Sequence, residues 1–160
     1  MSTVLLATDG SPSAAAATRE AITLARALDL PLVAVAVEHV TVPAYGYYGY
    51  GEIYKELVEN EHLHAQRILA ETAHQADEEN VDCDTVAVKG QAVDEICRVA
   101  SERDAKLIVI GAHGWGPIHR FVFGSVSTGV LHRADCPVLV VRGDTAVDEL
   151  EQVHADAAVV

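Results

Sequence analysis

The chain has 160 residues, half of them hydrophobic, with only two phenylalanines and one tryptophan. That length suits one domain with a substantial core and argues against a second catalytic domain; a core built largely from Ala, Val, Leu and Ile favours helices packed on a parallel sheet. The formal charge of −13 comes from 24 acidic and 11 basic residues with no Lys/Arg cluster, which argues against nucleic acid, since a duplex binder needs clustered cations to release counterions.

Thr3 to Thr8 is a short apolar run that predicts a first strand. In Asp9-Gly10-Ser11-Pro12, Ser11 can cap a helix and Pro12 can occupy its first position, so a strand-to-helix turn follows directly. Ala14, Ala17, Ala21, Leu24 and Leu28 then recur at spacings of three and four, a helix with a small-residue face, ended by Asp29-Leu30-Pro31. Leu32 to Val37 is too short for a buried helix and rich in valine, as a buried parallel strand is.

The segment from Glu38 to Gly51 carries Tyr45, Tyr47, Tyr48 and Tyr50 among glycines and cannot be regular structure throughout. It is either a flap over a ligand or partner, or a surface loop with amphipathic aromatics. Glu52 to Glu79 predicts a long helix with Leu57, Ala65, Ile68, Leu69, Ala73 and Ala76 on one face and a solvated acidic face. Val81 to Lys89 predicts a third strand, Gly90 a turn, and Val93, Ile96 and Ala100 a third helix.

Lys106 to Ile110 is the fourth predicted strand, Ser125 to Arg133 the fourth helix and Pro137 to Val141 the fifth strand; Gly143 to Val160 reads as a frayed acidic tail or an added short helix. Between the fourth strand and fourth helix lie Gly111, Gly114, Gly124 and Ser125, spaced G-x2-G-x9-G-S. Glycine lets backbone N–H groups approach an anion without a Cβ in the way, and a helix N-terminus offers unpaired donors at a positive dipole end, so phosphate binding is expected. The spacing is neither a Walker loop, which needs a lysine, nor a dinucleotide fingerprint, which needs closer glycines. Five strands alternating with four helices imply a doubly wound parallel sheet. Asp9 and Gly111 then line one crevice outside the strands' C-terminal ends.

Cys83, Cys97 and Cys136 are widely spaced, which fits neither a disulfide framework nor a C-x-x-C site, and each reads as a small buried hydrophobe. No run of about 18 apolar residues appears, and MSTVLLATDG lacks the regions of a signal peptide, so a cytoplasmic protein is expected. The acid excess and the scarcity of lysine (Lys55, Lys89 and Lys106) suit a very salty cytoplasm and a halophilic source. An acidic mesophilic protein with solvated charged faces is the alternative.

ATDGS after the first strand, VKGQAVDEI at the third strand and helix, and IGAHGWG with GSVSTGVLHRADCPVLVV near the end carry a resemblance. Over roughly residues 3 to 142 the chain resembles the universal stress protein family, in its ATP-binding branch, which the glycine loop marks. The resemblance implies one domain, 1–142, followed by an acidic tail, 143–160. It also implies a three-layer α/β fold with a five-stranded parallel sheet of order 3-2-1-4-5, like that of the adenine nucleotide alpha hydrolases. By matching position, Asp9 is expected near ribose and phosphates and Val37 at the adenine, with Ala7 and Ile110 as pocket walls. Gly111 and Gly114 are expected against ribose and phosphate, and Gly124, Ser125, Val126 and Ser127 on the phosphates, with Mg or Mn accompanying the triphosphate.

One departure is Trp115, where relatives place Arg or Lys; His119 and Arg120 follow in the same loop as candidate replacements. His113 reads as a loop residue positioned by its backbone, since no acid or nucleophile neighbours it in sequence. The resemblance implies a nucleotide-dependent stress-response module binding ATP, ADP or AMP. A slow ATPase or a phosphoryl- or nucleotidyl-transfer enzyme is the alternative, and an interaction scaffold a third reading. The uncharged strand Val138 to Val141 at a predicted sheet edge invites pairing, and family members pair through it, so a homodimer through Pro137 to Val141 is expected. Neither a membrane nor a nucleic-acid partner is expected.

Overall fold

In the computed structural model, residues 2–38, 51–114 and 123–143 are described, without the side chains of 51–54. Nine elements alternate along the chain: β1 Thr3–Ala7, α1 Pro12–Leu28, β2 Leu32–Glu38, α2 Gly51–Glu78, β3 Cys83–Lys89, α3 Ala92–Glu102, β4 Ala105–Gly111, α4 Ser125–Arg133 and β5 Val138–Val141. The strands form one sheet in the order β3-β2-β1-β4-β5, parallel at every pairing. This is the expected doubly wound α/β fold. Parallel neighbours cannot be joined by tight turns, so each connection carries a helix across a face of the sheet.

Side chains alternate between the two faces of a strand, and the core accordingly has two halves. Val4, Leu6, Ala34, Ala36 and Val109 pack against Ala17, Ala21 and Ala25 of α1 and Ala65, Leu69 and Ala76 of α2. Leu5, Val33, Val35, Ile108 and Ile110 pack against Ile96, Val99 and Ala100 of α3 and Val130 of α4. Every residue of the central strand β1 is buried. Ala17, Ala21 and Ala25 are fully buried, so the small face of α1 lets its backbone lie close to the sheet without ordering any side-chain rotamer.

The helix ends follow local chemistry. Ser11 caps α1, its hydroxyl accepting from the Ala14 amide at 3.2 Å, with Pro12 in the first turn. Asp29 closes the helix in the left-handed region at φ 54°. At the end of α2, Asn80 turns left-handed at φ 56°, and the Val81 amide donates to the Ala76 carbonyl at 2.9 Å. Val81 thus belongs to the helix cap, which is why β3 begins at Cys83 and not at the expected Val81. Pro137 likewise lies outside β5, although its carbonyl accepts from Ile108 at 3.0 Å. Strand β2 runs one residue beyond the expected Val37, and the added Glu38 is buried: its Oε1 lies 2.7 Å from His62 Nδ1 and its Oε2 3.7 Å from Lys89 Nζ. The tyrosine-rich stretch 39–50 and residues 144–160 lie outside the described residues.

The three cysteines are free, as expected, and each is only partly buried where a buried residue was expected. Burial pushes the Cys83 thiol up from its ordinary 9.0 to about 11, and burial also raises Cys97 and Cys136. Folded Cys83 holds its proton more tightly than the unfolded chain does. The stability linked to it is therefore complete below pH 9 and lost as pH rises toward 11. Urea unfolding between pH 8 and 11 should show a shallower loss of stability in Cys83→Ala than in the parent chain, since other groups titrating there are common to both.

Candidate functional site

The chain builds β1, β2 and β3 outward in one direction, then crosses back to place β4 and β5 on the other side of β1. The sheet's switch point therefore lies between β1 and β4, where Ala7 is paired with Ile110. The connections leaving these two strands run to opposite faces, and a crevice opens between them beyond the carboxyl ends. A cavity of about 350 Å³ occupies this place, within the usual range for small-molecule sites of roughly 300–1,000 Å³.

All ten residues singled out from the sequence line it. Ala7, Val37 and Ile110 supply apolar wall at the ends of β1, β2 and β4. Asp9 stands on the turn after β1, and Gly111 and Gly114 bracket the turn after β4. Gly124, Ser125, Val126 and Ser127 come from the start of α4. Sequence reasoning did not assign Thr8, Ala14, Val35, Ala92, Ile96 or Ala112 to the site, though they line it too. Ile96 and Val35 were legible only as apolar positions on a helix and a strand, and apolar periodicity does not tell a core wall from a pocket wall. Trp115, His119 and Arg120 lie outside the described residues.

The glycines serve different purposes. A Cβ at Gly111 would stand 2.6 Å from Ser13 Oγ, 2.8 Å from the Ser13 carbonyl carbon and 2.9 Å from the Ala14 nitrogen. That glycine lets the end of β4 abut the first turn of α1. At Gly114 a Cβ would meet Asp9 Oδ2 at 2.6 Å, so the two loops touch carboxylate against backbone. Asp9 Oδ1 accepts from the Ser11 amide at 3.0 Å, which orients the carboxylate as in an Asx turn. At Gly124 the space is less confined, the nearest atom being the Ala112 carbonyl oxygen at 3.3 Å.

Helix α4 starts without a side-chain cap, because its N-cap is Gly124. Its first backbone bond runs from the Thr128 amide to the Gly124 carbonyl at 3.0 Å. The amides of Ser125, Val126 and Ser127 precede that bond, so they are the donors a helix N-terminus leaves for an outside acceptor, with the positive end of the dipole behind them. The Ser127 hydroxyl is turned inward, donating to the Ala112 and Gly124 carbonyls at 3.1 and 3.0 Å. In this arrangement Ser127 faces the crevice through backbone, not through its hydroxyl. His113 is fixed by its backbone, its amide donating to Ser13 Oγ at 3.2 Å and its carbonyl accepting from Ser11 Oγ at 3.3 Å.

Among the described residues no group of three or more His, Cys, Asp or Glu side chains could hold a metal ion. Asp9 is the one carboxylate among the described residues lining the crevice. That donor set fits a magnesium-like ion, which is held by one or two carboxylates and the substrate's own phosphates, and not a dedicated protein cage.

Fold and crevice together define a doubly wound α/β protein with an uncapped helix N-terminus at the switch point of its sheet. The sequence profile of the universal stress protein family matches residues 1–142, and the chain belongs to that family. A universal stress protein of Methanocaldococcus jannaschii is 33% identical over 143 residues, covering 87% of this chain and 81% of that protein. Among solved structures, the universal stress protein UspA from Lactobacillus plantarum superposes with a TM-score of 0.79 at 27% identity, covering 88% of this chain and 97% of that one. A family protein from Arabidopsis thaliana solved with AMP bound shares the fold, with a TM-score of 0.68 at 18% identity over 91% of this chain and 94% of that one. Two further universal stress proteins of the same fold were solved with cAMP and, from Archaeoglobus fulgidus, with dAMP, at 24% and 21% identity.

The loop geometry separates the glycines energetically. Gly111→Ala forces backbone apart between β4 and α1 and should cost about 2 kcal/mol, the scale of overpacking. Gly124→Ala needs only a small displacement and should cost less than about 1 kcal/mol, the scale of a poorer N-cap. Urea unfolding of the two variants checks the order.

Proposed function

We propose that the chain binds an adenine nucleotide, ATP with Mg or Mn or its AMP and ADP counterparts, as a nucleotide-dependent regulatory module of the stress response. The observation that carries this reading is the uncapped start of α4 opening into a crevice whose other end is apolar. An adenine suits the wall made by Ala7, Val37 and Ile110, since a flat apolar ring gains by leaving water there. Phosphates suit the amides of Ser125, Val126 and Ser127 beside Gly124, where no Cβ obstructs the approach. Gly111 and Gly114 bring the β4 turn against the ribose and first phosphate. Asp9 stands where it can accept from a ribose hydroxyl or share a cation with the phosphates, and the cation, when bound, would offset phosphate charge. The adenine nucleotides of the structural neighbours support the class of ligand.

Calorimetric titration of ATP, with analysis of nucleotide carried through purification, tests this. The parent chain should bind, and Gly124→Val should lose affinity by about a hundredfold, equivalent to about 3 kcal/mol, with its fold retained. Unchanged affinity in that variant overturns the site, and steady ADP production lost in the same variant makes the protein an enzyme.

The module is proposed to act as a homodimer through β5. This strand lies at the sheet edge, is wholly apolar and leaves Leu139 36% exposed, a combination that favours covering by another chain. Light scattering after size exclusion at working salt should return twice the chain mass, and a monomer overturns the proposal. We also propose that residues 1–142 form the working domain and that 143–160 are an appended acidic tail.

A further inference from the structure

Ser13 takes part in none of the contacts proposed for the nucleotide, yet it is 7% exposed and touches β4, β5 and the turn after β4. A serine hydroxyl has one proton to give and lone pairs to receive. Here the proton points to the Val141 carbonyl at 3.4 Å and the oxygen accepts from the His113 amide at 3.2 Å. The same oxygen fills the space where Gly111 would carry a Cβ, at 2.6 Å. Val141, the last residue of β5, also accepts from the Ala112 amide at 2.7 Å. In the next peptide group, the Ala112 carbonyl accepts from the Gly124 amide at 2.7 Å and the Ser127 hydroxyl at 3.1 Å. A continuous hydrogen-bonded path thus joins the end of the edge strand to the first turn of α4.

We infer that Ser13 is a positioning residue that couples occupancy of the phosphate-accepting turn, Gly124 to Ser127, to the C-terminal end of β5. The inference rests on the proposed nucleotide reading and adds to it a route by which the bound state reaches the sheet edge. A phosphate drawn to the α4 amides holds Gly124 in place. Gly124 holds the Ala112 carbonyl, and the Ala112 amide together with Ser13 holds Val141. Coupling of this kind is reciprocal, so whatever orders the end of β5 also favours the ligand. Without the Ser13 hydroxyl, the Val141 carbonyl keeps the Ala112 amide but loses its second donor, and the His113 amide loses its acceptor, while the amides of α4 remain.

Backbone hydrogen exchange of the full chain, with and without Mg-ATP, tests the coupling in the parent chain and in Ser13→Ala. In the parent, ATP should slow exchange both at Gly124 to Ser127 and at residues 138–143. In Ser13→Ala the slowing at Gly124 to Ser127 should persist, and that at 138–143 should fall by about fivefold, the equivalent of about 1 kcal/mol for one hydrogen bond. Equal slowing at 138–143 in both proteins overturns the inference, whatever the variant's thermal stability, because a merely structural serine lowers protection with and without ligand alike. Slowing at Gly124 in the parent with none at 138–143 also overturns it but leaves nucleotide binding standing. Absence of slowing at both places in the parent overturns the nucleotide reading and the coupling with it. Ser13→Cys, similar in size with a weak donor, should behave as Ser13→Ala and serves if the alanine variant folds poorly.

Discussion

The crevice depends on how closely the first turn of α1 can approach the end of β4. Their contact is backbone against backbone, with Gly111 facing Ser13 and Ala14 at distances that leave no room for a Cβ. Because β1 and β4 are adjacent and parallel, the turn after each opens on the same side, and the contact sets the gap between them. The Asp9 carboxylate and Gly114 then meet across that gap. The start of α4 is drawn against the β4 turn through the Ala112 carbonyl. A residue with a side chain at Gly111 would separate the two turns and displace Asp9 and Gly124 relative to each other.

The sheet that carries this contact is buried at its centre on both faces. Leu5 and Leu6 are fully buried on opposite sides of β1, and each buried side chain of that kind contributes about 1.5–3 kcal/mol relative to exposure. The outer end of β2 is different. Glu38 is buried there with its Oε2 lacking a hydrogen-bond partner among the described residues, near Lys89 and with its other oxygen held by His62. A desolvated carboxylate is costly unless it is paired and hydrogen-bonded, so His62 and Lys89 tie α2 and β3 to the edge of the crevice where Val37 stands.

Much of this was legible in the sequence. Short strand-like runs alternating with helical patterns pointed to parallel strands with crossovers, and the glycine spacing after β4 marked the turn that opens the crevice. The order of the strands came with the family resemblance, since periodicity does not say which strand neighbours which. What the sequence concealed has a common physical cause: it lies in contacts between elements far apart in the chain. Glu38 reads as the first polar residue of a loop, and only the packing of α2 and β3 shows it to be buried. The glycines look alike in sequence, yet Gly111 answers to Ser13, Gly114 to Asp9 and Gly124 to an uncapped helix. Ser13 itself reads as an ordinary first-turn residue, because its partners His113 and Val141 are a hundred or more positions away.

The two rims of the sheet are chemically unequal. At one rim β3 exposes Asp84, Thr85 and Lys89, charged and polar groups that resist the addition of a further strand. At the other, β5 offers only valine and leucine. Joining two sheets rim to rim through β5 consumes the apolar rim of each copy and leaves a polar rim at both outer ends. Such a join is self-complementary and two-fold, so it closes upon itself. Were two copies to pair through β5 as proposed, the polar rim would end further addition, and a ten-stranded composite sheet would be the largest product of this mode of pairing.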